Sequence, residues 1–139
     1  MKVTEVSTYL VHPGAAKNWL FVRVETNEGI HGWGEAYSQS DRDRTIAVHV
    51  EELGRYLIGR DPFDIKHFAY IAYTDFASKR GSMDLFSAIS AIEQALWDIT
   101  GKALGQPVYN LLGGRCRDRV KVYANGWGSW YDVSKSLDH

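Results

Sequence analysis

The stretch SAISAIEQALWDITGKALGQPVYNLLGG, Ser87 to Gly114, decides how this chain is read. Counted from Leu85, the apolar residues Ile89, Ile92, Leu96 and Ile99 recur at steps of four, three, four and three, the spacing of one helical face. Ala88, Ala91 and Ala95 widen that face with small side chains, which lets a neighbouring helix come close. Gly105 and Pro107 end the helix, and a short helix over about 107–112 is closed by Gly113 and Gly114. Beyond it, VKVYANGW (Val120 to Trp127) reads as a strand. YDVSKSLDH then reads as a helix start, with Asp132 or Ser134 near the N-cap. A lone strand leaves its backbone groups without partners, so the two together read as the first half of a βα unit.

Working outward toward the N-terminus, residues 3–11 are rich in β-formers and end at His12-Pro13-Gly14. Residues 19–26 alternate: Leu20, Val22 and Val24 point one way, Trp19, Phe21, Arg23 and Glu25 the other. Asn27 to Gly29 form a turn whose glycine takes a positive φ, and residues 30–37 return as a third strand. Helical spacing follows. Ser40 and Asp43 stand as a capping box ahead of Ile46, Val50, Leu53 and Leu57, and Gly59 closes that helix. Asp61 and Pro62 restart the chain as N-cap and first helical residue of an aromatic helix over about 62–76. Strands first and helices after argue an α+β fold: a three-stranded antiparallel meander followed by a helical bundle.

The bulk composition narrows the function classes. Sixteen basic against seventeen acidic residues leave a net charge of -1, so no basic field exists to hold nucleic acid. No apolar run approaches the ~20 residues of a membrane span, and no signal-peptide pattern opens the chain. The single cysteine, Cys116, excludes an internal disulfide framework. These features fit a cytoplasmic protein.

Motifs that carry chemistry are few. The five histidines include no H-E-x-x-H and no pair at i, i+4, and no phosphate-loop or nucleophile-elbow motif occurs. Glu93 and Asp98 are five residues apart and do not share a helical face; Asp98 reads as the partner of a nearby base or helix N-terminus. Cys116 reads as an inert surface thiol, His31 as half-buried packing and Glu35 as structural.

TNEGIHGWGEA, YLIGRDP and the opening 28-residue stretch resemble the N-terminal capping domain of the enolase superfamily, in its mandelate racemase/muconate lactonizing branch. Within the branch, WLFVRVETNEGIHGWGEA and QALWDITGKALGQPV are most similar to galactonate dehydratase and related acid-sugar dehydratases. The resemblance implies two domains: a capping domain over 1–115, and over 116–139 the first strand of a truncated (β/α) barrel. A lysine or histidine base then removes a proton next to a carboxylate, and Mg2+ stabilises the resulting ene-diolate. A complete barrel needs about 250 residues, so the resemblance puts the base and the metal ligands beyond residue 139 and makes this chain inactive alone.

What the resemblance leaves to these residues is substrate capping. In the family the loop after the first strand meets the substrate; here that loop offers His12, Lys17, Asn18 and Trp19. Arg80, before Gly81-Ser82, is a second candidate contact, although the family often carries two glycines after the arginine. Asn125 and Trp127 fall at the C-terminal end of the first barrel strand, where such barrels place their sites. The implied partners are a small acid-sugar substrate, the chain's own barrel domain and further copies in a homo-oligomer. Racemisation, epimerisation and cycloisomerisation stay open as alternatives, as does a stand-alone module that binds or dimerises through its aromatic surface.

Overall fold

The computed structural model describes residues 1–14, 17–38, 41–75 and 82–123. Three strands, β1 (Val3–Val11), β2 (Trp19–Thr26) and β3 (His31–Ala36), form one antiparallel sheet in the order β1-β2-β3. Val22 of the central strand pairs with Thr8 on one side and Gly34 on the other. The alternation in β2 comes through intact, with Leu20, Val22 and Val24 all 0% exposed beneath the helices. The other face of the sheet carries Tyr9, Trp19, Phe21, Arg23 and Trp33; Tyr9 and Trp33 lie 5.2 Å apart, and the Arg23 guanidinium sits over the Trp33 ring.

Four helices follow: α1 (Asp43–Gly54), α2 (Ile65–Asp75), α3 (Met83–Leu104) and α4 (Val108–Leu111). The long helix α3 forms where its periodicity puts it. The Ser82 hydroxyl accepts from the Leu85 N–H at its start, and Gly105 ends it at φ 63°. Leu85, Ile89, Ile92, Leu96 and Ile99 all enter the core, which β2, α1 and α2 share.

The small residues of α3 serve a different neighbour from the one the spacing suggests. A strand, β3, comes close. A Cβ on Gly34 would stand 1.9 Å from the Ala91 carbonyl oxygen, and one on Gly32 would stand 2.0 Å from that of Ala95. Alanines on the helix and glycines on the strand are one contact, so G-W-G in β3 and A-x-x-A-x-x-x-A in α3 have a single cause.

That proximity lets α3 cover the free edge of β3. Asp98 accepts from the Trp33 N–H at 2.9 Å, and Lys102 donates to the His31 carbonyl at 2.8 Å. Gln94 accepts from the Glu35 N–H and donates to the Glu35 carbonyl. Residues 94, 98 and 102 stand one turn apart on the helix and act as a surrogate strand along an edge that would otherwise recruit another chain. Asp98 thus has its basic partner, Lys102 at 2.7 Å.

Three boundaries move. Helix α1 begins at Asp43 behind Arg42, whose side chain makes no cap bond; Ser40, the expected cap, lies outside the described residues. It ends at Gly54, before Leu57, because residues 59 and 60 pair with the start of β1: Gly59 donates to the Val3 carbonyl and Val3 donates to that of Arg60. Helix α2 begins at Ile65, because the Asp61 carboxylate takes the Phe63 N–H and folds Asp61–Asp64 into a turn of its own. The strand read over 120–127 is not formed in its described part. Val120, Val122 and Tyr123 are 71%, 82% and 83% exposed, with no ladder partner among the described residues.

Candidate functional site

The loop between β1 and β2 is tied down from both ends by the pairing of Val11 with Trp19. Gly14 turns it at φ 81°. Its returning arm lies against the end of β3 and the start of α1. The buried Ser38 hydroxyl donates to the Asn18 carbonyl at 2.8 Å, and the Ser38 carbonyl accepts from Lys17 Nζ at 2.8 Å. The Lys17 ammonium also lies 4.6 Å from the centre of the Tyr37 ring. Lys17 is therefore half-buried and turned toward the base of the loop.

Asn18 joins the loop to α1. Its Nδ2 donates to Asp43 Oδ2 at 2.6 Å, and its Oδ1 lies 2.9 Å from His12 Nδ1. Asp43 occupies the first turn of α1, where exposed N–H groups and the helix dipole favour negative charge. Its other oxygen accepts from the Arg44 N–H at 2.9 Å. The Asn18 hydrogen bond, then that of Arg44, hold the Asp43 carboxyl below its ordinary value.

Of the seven residues singled out by sequence, His12, Lys17 and Asn18 are brought into one cluster. Trp19 departs from it: as the first residue of β2 it is 46% exposed on the aromatic sheet face, edge-on to Phe21. Arg80, Asn125 and Trp127 lie outside the described residues. Two members of the cluster escaped the sequence reading. Ser38 carries no motif, and Asp43 drew attention only as part of a capping box; its link to Asn18 spans 25 positions and has no local signature.

One concavity borders this region, and a second lies toward the far end of the domain, beyond α1. An open depression of about 340 Å³ runs from Tyr37 along α3 past Phe86, Ser90 and Gln94, so Lys17 packs on one of its walls. The crevice lined by Leu57, Asp61 and Phe68 has about 10 Å³, the space of a single water, and is too small for a substrate. Among the described residues no three His, Cys, Asp or Glu side chains converge as a metal-binding group. Among the same residues no helix is long and apolar enough to cross a membrane.

Comparison with known proteins gives this geometry a context. Residues 6–113 match the family described as mandelate racemase / muconate lactonizing enzyme, N-terminal domain. A D-galactonate dehydratase from Variovorax paradoxus (strain S110) is 50% identical over 138 residues, 99% of this chain and 33% of the relative. A solved structure of a Mesorhizobium loti protein superposes with a TM-score of 0.87 at 42% identity, covering 99% of this chain and 37% of its own. An enolase from Pantoea ananatis, solved with bound D-gluconate and Mg, superposes with a TM-score of 0.75 at 38% identity, over 84% of this chain and 28% of its own. The chain thus spans about a third of the length of the curated relatives it matches.

Proposed function

The chain belongs to the mandelate racemase / muconate lactonizing enzyme family as its N-terminal domain, and on that premise we propose that it caps the active site of an acid-sugar dehydratase of the galactonate kind. The observation that carries this reading is the 50% identity to a D-galactonate dehydratase across 99% of the chain. In such a reaction a proton leaves the carbon next to a carboxylate and a hydroxyl leaves the neighbouring carbon, together lost as water. The enol that remains becomes a 2-keto-3-deoxy acid. The α-proton is weakly acidic, so charge developing on the carboxylate must be met by fixed positive charge. The base and Mg2+ belong, in this reading, to residues other than those described here.

The share of this chain is selection and exclusion of water. A polyhydroxy acid presents many hydroxyls and one carboxylate, and the β1–β2 loop offers complementary groups. Lys17 has three ammonium hydrogens, of which Ser38 takes one. His12 presents an exposed imidazole, and the Asn18 amide holds it in place. Trp19, on the aromatic sheet face, stands apart from this set, while Arg80, Asn125 and Trp127 are further candidate substrate contacts. The cytoplasm is the expected compartment and a homo-oligomer the expected assembly.

The test is turnover by the full-length gene product, with Mg2+ and a panel of acid sugars, read as 2-keto-3-deoxy acid formed. Keto acid from D-galactonate is the expected result, with the 139-residue chain inactive by itself. An epimerised or cycloisomerised product without keto acid would replace dehydration with another reaction of the same family.

A further inference from the structure

We propose that Asp43 is a positioning residue for His12, acting through Asn18, and that it presents His12 Nε2 as a hydrogen-bond acceptor for a substrate hydroxyl. An ionised carboxylate can only accept, so the Asn18 group facing Asp43 at 2.6 Å must be its NH2. The Asn18 carbonyl oxygen must then face the other way, toward His12 Nδ1 at 2.9 Å. A carbonyl oxygen can only accept, so His12 Nδ1 must carry the hydrogen. In the neutral ring the second nitrogen, Nε2, is then left with a lone pair. The imidazole is exposed, and among the described residues Nε2 has no hydrogen-bond partner.

The chain Asp43–Asn18–His12 therefore does for a loop histidine what a carboxylate does when it bonds an imidazole directly: it chooses the tautomer. It does so across two elements, with the helix N-terminus holding the carboxylate ionised. The amide between them prevents Asp43 from taking the proton. An acceptor at Nε2 suits an alcohol O–H, which is the group a polyhydroxy acid supplies in number. This last step rests on the loop facing substrate as set out above; the tautomer does not.

The experiment has two parts, so the two can fail separately. The first is nitrogen-15 NMR of the full 139-residue chain at a pH where His12 is neutral, reading the tautomer from its ring nitrogens. The Nδ1–H form should dominate, and Asp43→Asn, whose amide lets Asn18 turn over, should return the ring to a mixture. Asn18→Ala should do the same while leaving Asp43 on the Arg44 N–H, and serves if the first variant does not fold. A dominant Nε2–H form in the unaltered chain, or a tautomer ratio that neither variant changes, overturns the proposal. The second part uses the full-length enzyme. Loss of one oriented hydrogen bond in Asp43→Asn should raise KM for D-galactonate about three- to tenfold with kcat little changed. An unchanged KM beside a shifted tautomer would overturn the substrate contact alone. Absence of turnover in the unaltered enzyme would instead remove the dehydratase reading and the substrate contact with it, and leave the tautomer result standing.

Discussion

Gln94 closes two hydrogen bonds on the backbone of Glu35, accepting from its N–H at 3.1 Å and donating to its carbonyl at 3.2 Å. A side-chain amide has the same donor and acceptor as a peptide unit, so Gln94 pairs with β3 as a neighbouring strand would. Gln94→Ala leaves both groups to water at an exposed edge and should cost about 0.5–1.5 kcal/mol. It also reopens the edge to pairing with a second chain. Urea unfolding and size-exclusion chromatography would read the two effects. A variant of unaltered stability that stays as monodisperse as its parent would remove edge capping as the role of Gln94.

The contact beneath that edge is far less forgiving. A methyl group on Gly34 would meet the Ala91 carbonyl oxygen at 1.9 Å, and both atoms are fixed by backbone. Gly34→Ala should therefore push α3 off the sheet, at about 3 kcal/mol or more. Gly29→Ala is the control. Gly29 has open space around its Cβ position but a φ of 77°, so its substitution should cost about 1–2 kcal/mol through backbone strain alone. Thermal unfolding of both variants separates collision from conformation. Equal losses would mean that α3 can shift to accommodate a methyl group.

These two cases mark what the sequence disclosed. The strands and the core of α3 were legible because burial repeats with the period of the backbone, as Leu20, Val22 and Val24 or Ile92, Leu96 and Ile99 show. Partner identity was not. Ala91 and Ala95 announce a close approach without saying that a glycine strand makes it, and Gln94 reads as any exposed helical residue until Glu35 lies beside it. Asp61-Pro62 has the chemistry of a helix start, yet the local bond to Phe63 makes a turn first. In the loop, the family resemblance pointed to His12, Lys17 and Asn18, whereas Asp43 and Ser38 gain their meaning only when the sheet brings residues 18, 38 and 43 together.

Lys17 tests whether a basic loop residue is committed to the fold. Its ammonium bonds the Ser38 carbonyl and lies over Tyr37. Lys17→Met should destabilise the chain by about 1–2 kcal/mol. A double-mutant cycle with Tyr37→Leu should return a coupling of about 0.5–1 kcal/mol, the scale of a partly exposed cation–π contact. A coupling of zero would remove the ring contact as a tie between Lys17 and the fold and leave the Ser38 carbonyl as its partner.

Acid should act on the loop through Asp43. The Asn18 and Arg44 N–H groups stabilise its ionised form in the folded chain, so its folded value lies below the ordinary 3.8. A depressed carboxylate adds stability that is fully present above the unfolded value and is lost as pH falls through the folded one. Stability measured against pH should therefore show an excess for the parent over Asp43→Asn at neutral pH. That excess should begin to shrink near pH 3.8 and be gone below the folded value of Asp43. The contact that disappears is the one joining the β1–β2 loop to α1, so the amide signals of Asn18 and Arg44 should shift over the same interval. A difference between parent and variant that persists unchanged into strong acid would show that packing, and not the charge on Asp43, holds the loop to the helix.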